Sequence, residues 1–461
     1  NLFLITKLIG EDYNTVRMSS SKCSSSSSSS TYSPCSTPRC VINIDVAQRN
    51  ASKMLQVVET DLGLSFRPHV KTHKTIEGAL LQTGGRRSKI VVSTLAELQF
   101  YSDIGGFTDI LYAVPLAGDH KISYLWNNFI SQNNKGDIKV VIDHPEQFQR
   151  IEQWMKDNVN SNNNSDDDDD ANHNNNDNKW KILLMLGVGN ELSKNNVLMH
   201  QVGLDPTKKE SFELAETLHN SQHIAFEGLY IHASHGYNAT SRESCTQVAK
   251  EECDTIGTFA KTLRDEYQIR CPNVGVGSTP TCANPAIYKT ILDPITNEPT
   301  KVIIDTDLIQ RVYTDNLITE LHAGNYLVYD SMQSNTIHSC HIKDVAMTVK
   351  TQVISSYPES NTLMVDLGWT GISKQQEDEN NGYGIVVSHP ELKLHSMKQE
   401  SGEMKPLKEN IVLDMKKYPI GNTELSIIPY HACAAAHQYR SLFIENTQGE
   451  CIGEWIRCPS R

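Results

Sequence analysis

Phe66-Arg-Pro-His-Val-Lys-Thr-His-Lys-Thr75 decides how the rest of the chain is read. The run is too short for a helix, and it ends with two lysines and two histidines crowded together. Basic groups gathered at a strand end repel one another, so a lysine held there gives up its proton more easily. A neutral lysine is a nucleophile toward aldehydes, the first requirement for a Schiff base. A solvated basic turn has the same letters, so the surrounding chain has to choose between the two.

The flanking sequence alternates. Short β-rich runs at 66–70, 89–92, 109–113, 138–142, 181–186, 226–232, 273–277 and 317–321 are separated by helical stretches, including 94–103, 144–157, 208–219 and 242–265. A further helix precedes the first run, where Ala47, Ala51, Leu55, Val58 and Leu62 share one face. Eight strand–helix units predict an α/β fold with a closed (β/α)₈ barrel, and an open doubly wound sheet is the alternative. Beyond 322 the texture changes to strands and turns: 325–330, 346–355, 361–368, 383–387 and 425–428. The expected organisation is therefore a Ser-rich disordered tract at 1–34, a barrel at 35–321 and a mostly-β domain at 322–461. The Ser-Thr-Pro strand near 36 is free to join the second domain. Asn160–Asn178 is almost purely Asn and Asp, and reads as a disordered surface insertion.

Composition narrows the function classes. The net charge of -13 argues against a nucleic-acid partner. No apolar run nears the ~20 residues of a membrane span, and the apolar opening of five residues is short for a signal peptide. Eleven cysteines without paired spacing fit reduced thiols, so a cytoplasmic protein is expected.

In such a barrel the chemistry gathers at the C-terminal strand ends. Lys71 falls just past the first strand, and Gly277-Ser-Thr-Pro-Thr281 just past the seventh. Small residues there let backbone N–H groups approach a phosphate, with Ser278 and Thr279 adding hydroxyls. Tyr230 and His232 share a parity at the end of the sixth strand, and Tyr237 follows them. Either ring pair has a bland reading as core side chains. In Pro429-Tyr-His-Ala-Cys-Ala-Ala-Ala-His-Gln-Tyr439, His431 and Cys433 point the same way on an extended segment. Imidazole with thiolate suits Zn²⁺, and two ligands leave coordination positions open.

Together these stretches resemble the eukaryotic-type D-serine dehydratases, within the alanine-racemase-like, fold-type-III pyridoxal-phosphate enzymes. Arg67–Lys74 resembles that family's lysine motif almost letter for letter. The resemblance continues through 93–97, 228–237, 276–281, Glu320-Leu-His-Ala-Gly-Asn-Tyr326, 366–370 and 431–433. It implies β-elimination of D-serine to pyruvate and ammonia with pyridoxal 5'-phosphate and Zn²⁺. Lys71 would carry the cofactor and act as the base, while His431 and Cys433 would hold the metal. Tyr230, Tyr237, Gly277, Ser278 and Thr279 match cofactor-contacting positions, and a homodimer is implied. D-Threonine aldolase is the nearest rival, but its metal motif resembles His-x-Asp. A non-catalytic pyridoxal-phosphate carrier would have no use for His431, Cys433 or a second domain. Two departures stand out: Leu186–Ser193 lacks the family's arginine, and Tyr430 replaces its usual Asn.

Overall fold

Successive side chains on a strand face opposite ways, and in the first half of this chain both faces are buried. The computed structural model describes residues 36–132, 135–160, 178–188, 202–292, 299–375 and 382–459. The serine tract at 1–34 and, apart from its end residues, the insert at 160–178 lie outside them. So does the part of the fifth-strand departure beyond 188.

The strands run in chain order β1 Arg39–Asn43, β2 Ser65–Phe66, β3 Ile90–Val92, β4 Asp109–Tyr112, β5 Asp137–Ile142 and β6 Trp180–Leu186. They continue with β7 Ile224–Ile231, β8 Asn273–Val276, the hairpin β9 Tyr288–Leu292 and β10 Pro299–Ile304, and β11 Glu320–Leu321. Eight of these form one parallel sheet in the order β2-β11-β8-β7-β6-β5-β4-β3. A parallel bridge between His69 and Val91 joins its two ends, so the expected eight-stranded barrel is borne out. All eight expected strands are present, with boundaries shifted by a few residues.

Two apolar layers follow from the alternation. Ile90, Val92, Ile110, Tyr112, Val140, Ile142, Ile182 and Leu184 face outward into the helix layer. Val91, Leu111, Val141, Leu183, Met185 and Tyr230 fill the barrel interior. Below them, toward the N-terminal strand ends, the interior is charged. Arg67, 1 % exposed, donates from Nε to Glu320 Oε1 at 2.6 Å and from Nη1 to Asp109 Oδ1 at 2.6 Å. Lys139 donates to Asp109 at 2.8 Å and also to Asp137, which pairs with Lys181 at 2.6 Å. Lys89 reaches Glu320 at 3.0 Å.

The second sheet is antiparallel but for the parallel pairing of β1 with β18. It comprises β12 Met347–Tyr357, β13 Thr362–Val365, β14 Gly384–Val386, β15 Leu392–Met397, β16 Gly402–Pro406, β17 Glu424–Pro429, β18 Ser441–Glu445 and β19 Cys451–Ile456. Pairings run β12-β13-β16-β15-β14-β17 and return to β12, closing a six-stranded ring around Val349, Leu363, Leu394 and Ile427. β1 extends this sheet, antiparallel to β12 and parallel to β18, before the helix Ile44–Leu55 leads into the barrel. The predicted strand at 325–330 is a correction. Asn325–Leu327 is a short 3₁₀ turn, and Tyr326, Leu327, Val328 and Tyr329 are all buried with no alternation. Four successive buried residues need cover on every side, which a loop wedged between the two sheets provides.

The charged belt gives a test. Arg67→Leu leaves the buried Glu320 and the partly buried Asp109 without their shared partner and is expected to cost about 3–5 kcal/mol, read as a lower urea midpoint. Burial alone would raise the Glu320 carboxyl, but Arg67, His322 and Lys89 together hold it down to about 2. Its folded pKa therefore lies below its unfolded value, so its stabilisation is complete above about pH 4.3 and lost as pH falls toward about 2. Urea midpoints measured from pH 6 to pH 2 should fall less steeply in Arg67→Leu than in the unsubstituted protein.

Candidate active site at the strand ends

Lys71 sits in a tight turn after β2, and that turn is fastened on three sides. Its own N–H donates to His69 Nδ1 at 3.3 Å, so the His69 proton is on Nε2, which donates to Ser93 Oγ at 3.2 Å. Lys74 has a left-handed backbone (φ 53°), unusual for a residue with a Cβ. Its ammonium pairs with the fully buried Glu97 at 2.9 Å. Glu97 also caps its own helix, accepting from Thr94 N at 3.0 Å while Thr94 Oγ1 accepts from Glu97 N. The motif Ser93–Glu97 thus has a local reason: one carboxylate serves a helix start and a lysine. Between the two lysines, His73 is wholly buried and bonded to Thr75 Oγ1 (3.1 Å) and Gln82 Oε1 (3.0 Å). From the far end of the chain, Arg457 Nε donates to His73 O at 3.0 Å and Cys458 N donates to Lys74 O at 2.7 Å.

β8 runs into Gly277, whose φ of +119° and crowding against Cys282 and His322 exclude a side chain. Ser278 N donates to Thr281 Oγ1 at 2.9 Å, opening the short helix Thr279–Ala283. Thr279 Oγ1 accepts from both Gly324 N and Tyr326 N at 3.3 Å, tying this loop to the one after β11. Gly236 lies against the same loop: a Cβ there would stand 3.3 Å from Ser278 Oγ. Beneath it, Glu252 is bonded to Thr281 and Gly277, and burial pushes its carboxyl up to about 8.

Tyr230 is buried in the barrel with its ring 4.9 Å from His322. His232 and Tyr237 stand above it, ring centres 6.4 Å apart. Burial first, then the charge of Lys71, drives the His232 imidazole down to about 3, and the same two causes lower His69 well below its usual range. Burial, then Cys433 and Asp330, raises the Tyr237 phenol, so it stays protonated.

The second sheet brings the last pair. His431 and Cys433 follow β17 and share a hydrogen bond. Cys433 Sγ lies 3.0 Å from Thr72 Oγ1, next to Lys71 in sequence. Burial would raise the Cys433 thiol, but His431, Lys71 and Thr72 hold it below its ordinary value. Burial would lower the His431 imidazole, but the Cys433 sulfur and Asp330 raise it to about 9. Gln375 Oε1 accepts from His431 Nδ1 at 2.8 Å, so the bond to Cys433 falls to Nε2, the nitrogen turned toward the sulfur. No third His, Cys, Asp or Glu completes a metal cluster among the described residues. Tyr430 packs with Tyr237 against Met332 and Ile337.

The turn bearing Lys71, the loop at 277–279 and Tyr237 therefore lie past the strand ends, Tyr230 lies inside the barrel, and the second sheet brings His431 and Cys433 to the Lys71 turn. Sequence reasoning passed over Thr72, Glu97, Asp330 and Gln375. Thr72 carried a signal, since it sits beside the lysine; Asp330 was hidden in a segment taken for a strand.

With this geometry in hand, comparison with known proteins is informative. Residues 346–444 match the model of a putative serine dehydratase domain. The whole chain is similar to the D-serine dehydratase of Dictyostelium discoideum, 27% identical over 431 residues, covering 90% of this chain and 95% of that one. Among solved structures it resembles the D-threo-3-hydroxyaspartate dehydratase from Delftia sp. HT23 (TM-score 0.72, 26% identity, 92% and 98% covered). An alanine-racemase-like protein from Idiomarina loihiensis shares the fold (TM-score 0.72, 24% identity, 93% and 98% covered). The sequence resemblance to the eukaryotic-type D-serine dehydratases is borne out.

The thiol's setting makes a prediction that needs no ligand. At pH 7, iodoacetamide should label Cys433 ahead of the buried Cys245, Cys253 and Cys282, whose thiols burial pushes up. His431→Ala should slow labelling of Cys433 and leave the others unchanged, as read by peptide mass spectrometry.

Proposed function

We propose that this chain, similar over most of its length to the D-serine dehydratases, is a lyase. In this reading it converts D-serine to pyruvate and ammonia using pyridoxal 5'-phosphate and Zn²⁺. One observation carries it: the turn bearing Lys71 and the His431–Cys433 pair, from different sheets, meet at the 3.0 Å contact of Thr72 with Cys433. A lysine suited to binding an aldehyde and a thiolate–imidazole pair suited to zinc thereby share one site.

The residues fit both groups. Gly236 keeps side-chain bulk away from Ser278, whose hydroxyl, with that of Thr279, would donate to a phosphate. Hydrogen-bonded thiol and imidazole are the donor types zinc prefers. When bound, pyridoxal phosphate supplies an electron sink for charge developing at the substrate Cα. Zinc supplies Lewis acidity toward the serine hydroxyl.

The chain's own groups do the rest. Lys71 Nζ would hold the cofactor aldehyde and would be the base that takes the substrate Cα proton. His69 and His232 are held neutral, so neither adds positive charge that would compete for the substrate carboxylate. Tyr237, kept protonated, would donate to the cofactor, and the buried Tyr230 would line its pocket. Gly277, Ser278 and Thr279 would serve its phosphate. Barrel strand ends thus serve the cofactor, and the antiparallel sheet serves the metal. We also propose a cytoplasmic homodimer; the nine described cysteines are all free, as a reducing compartment requires. No described helix is long and apolar enough to cross a membrane.

The test is turnover. Purified protein with pyridoxal phosphate and zinc should release pyruvate from D-serine, and a chelator should stop it. Lys71→Ala should abolish the visible absorbance band of bound cofactor. Cys433→Ala should keep the band and lose ~10²-fold or more in kcat/KM, the several kcal/mol a Lewis acid supplies. Normal cofactor binding without pyruvate at any zinc level would refute the dehydratase reading. Oxaloacetate from D-threo-3-hydroxyaspartate would shift the substrate, and acetaldehyde with glycine from D-threonine would make the enzyme an aldolase.

A further inference from the structure

Asp330 belongs to none of the roles assigned so far, yet it is completely buried at the junction of the two sheets. Its Oδ2 accepts from Ala432 N and from Asn325 Nδ2, both at 2.8 Å, and its Oδ1 accepts from Gln333 N at 3.0 Å. All three partners are donors, so the site fits a group that only accepts, which a carboxylate is and an amide is not. Ala432 lies between His431 and Cys433. A second bond, Met332 N to Tyr430 O at 3.0 Å, fastens the same two segments two residues away on each. On the other flank, Asn325 stands between Gly324 and Tyr326, whose N–H groups both end on Thr279 Oγ1. Hydrogen bonds therefore run without a gap from the loop after β8, through Asn325 and Asp330, to the turn between the two sulfur and nitrogen ligands.

We infer that Asp330 is a positioning residue that fixes the His431–Cys433 turn against the phosphate-side loops and thereby sets that turn's affinity for its metal. The inference rests on the reading of His431 and Cys433 as metal ligands. β17 delivers the turn from a separate sheet, so the second sheet alone does not fix its distance from the barrel. A dry carboxylate satisfied by donors from both sides has one low-energy position, because moving either segment strands a buried polar group. Ligands held this way lose little freedom on binding, and groups that orient metal ligands contribute about 10- to 100-fold in affinity. A purely structural role would lower stability and leave the metal affinity of the folded protein unchanged.

The experiment uses the full chain loaded with pyridoxal phosphate, titrated with Zn²⁺ against a chelating fluorophore and separately with Co²⁺. Asp330→Asn keeps size but turns an amide NH₂ toward one of the three donors. It is expected to weaken Zn²⁺ binding about 10- to 100-fold. The cobalt–thiolate charge-transfer band should weaken, and the visible cofactor band should stay unchanged. Ala432→Pro is the second variant. It removes that N–H at the first position of the helix Ala432–Ala436, where proline is favoured, after a residue already extended at φ −131°, ψ 112°, and adds ring carbons at a buried residue. It should reproduce the loss if Asp330→Asn does not fold. Zinc affinity within about twofold of the unsubstituted protein in a folded variant overturns the inference, far short of the expected loss. So does loss of the cofactor band in step with the metal, which would make the effect one on the whole site. If the unsubstituted protein itself binds no zinc, the metal reading fails first, and the two failures are told apart.

Discussion

The seam of the barrel is where the structure has least backbone to rely on, and Arg67 is the group that holds it. β2 and β11 are two residues long each and lie side by side, so few ladder bonds join them. The chain from 65 to 70 makes up the difference by bonding outward on both sides: Arg67 N to Leu321 O, His69 N to Ala323 O, Val70 N to Val91 O. The Arg67 guanidinium then reaches across the interior to Glu320 on one side and Asp109 on the other. A planar fork with five donors can serve two carboxylates at once; a lysine cannot hold both with the same geometry. Because the pair is buried, its value lies less in net stability than in permitting only one closure of the sheet.

The same few residues that close the barrel also present Lys71. After His69 the chain can no longer continue as a strand, and the left-handed turn at Lys74 takes it back toward the helix Ile76–Gln82. Such a conformation persists only where its surroundings over-determine it. Here Glu97 holds the side chain, Cys458 holds the carbonyl, and His73 beneath is bonded to Gln82 and Arg457. Gln82 in turn donates to Gly324 O at 3.0 Å, so the lysine turn and the loop after β11 share a bond. The site is rigid because its supports come from three parts of the chain, including its far end.

Electrostatics divides the histidines of the site into two kinds. His69, His232 and His322 are buried near cations or one another and are held neutral. His431 is the exception, raised because a sulfur and a carboxyl face it. A cationic field that keeps imidazoles neutral also favours anions, and a phosphate and a substrate carboxylate are both anions. Cys433 and Asp330 both face His431 and raise it, so negative charge gathers on that side, which is where a divalent cation would be at home. Charge is thus separated across the site in the sense that the proposed chemistry needs.

The sequence by itself determined the alternation of parallel strands and helices, because short apolar runs separated by helical periods recur eight times. It left a closed barrel and an open sheet as alternatives, and the bridge between His69 and Val91 decided for the barrel. The sequence also pointed to the residues that could carry chemistry: Lys71, His431 and Cys433 each have a bland reading alone, and their combination with the phosphate-type loop singled them out. It did not show β15, β16, β18 or β19, which mix charged and apolar residues and become strands only through pairing. It misplaced 325–330, whose β-rich letters reflect burial on every side and not alternation. That misreading concealed Asp330, whose role exists only between segments about 100 residues apart. Tertiary structure alone decided that Thr72 meets Cys433 and that one carboxylate spans both sheets. Contacts between distant segments leave no local period, so nothing in the neighbouring residues announces them.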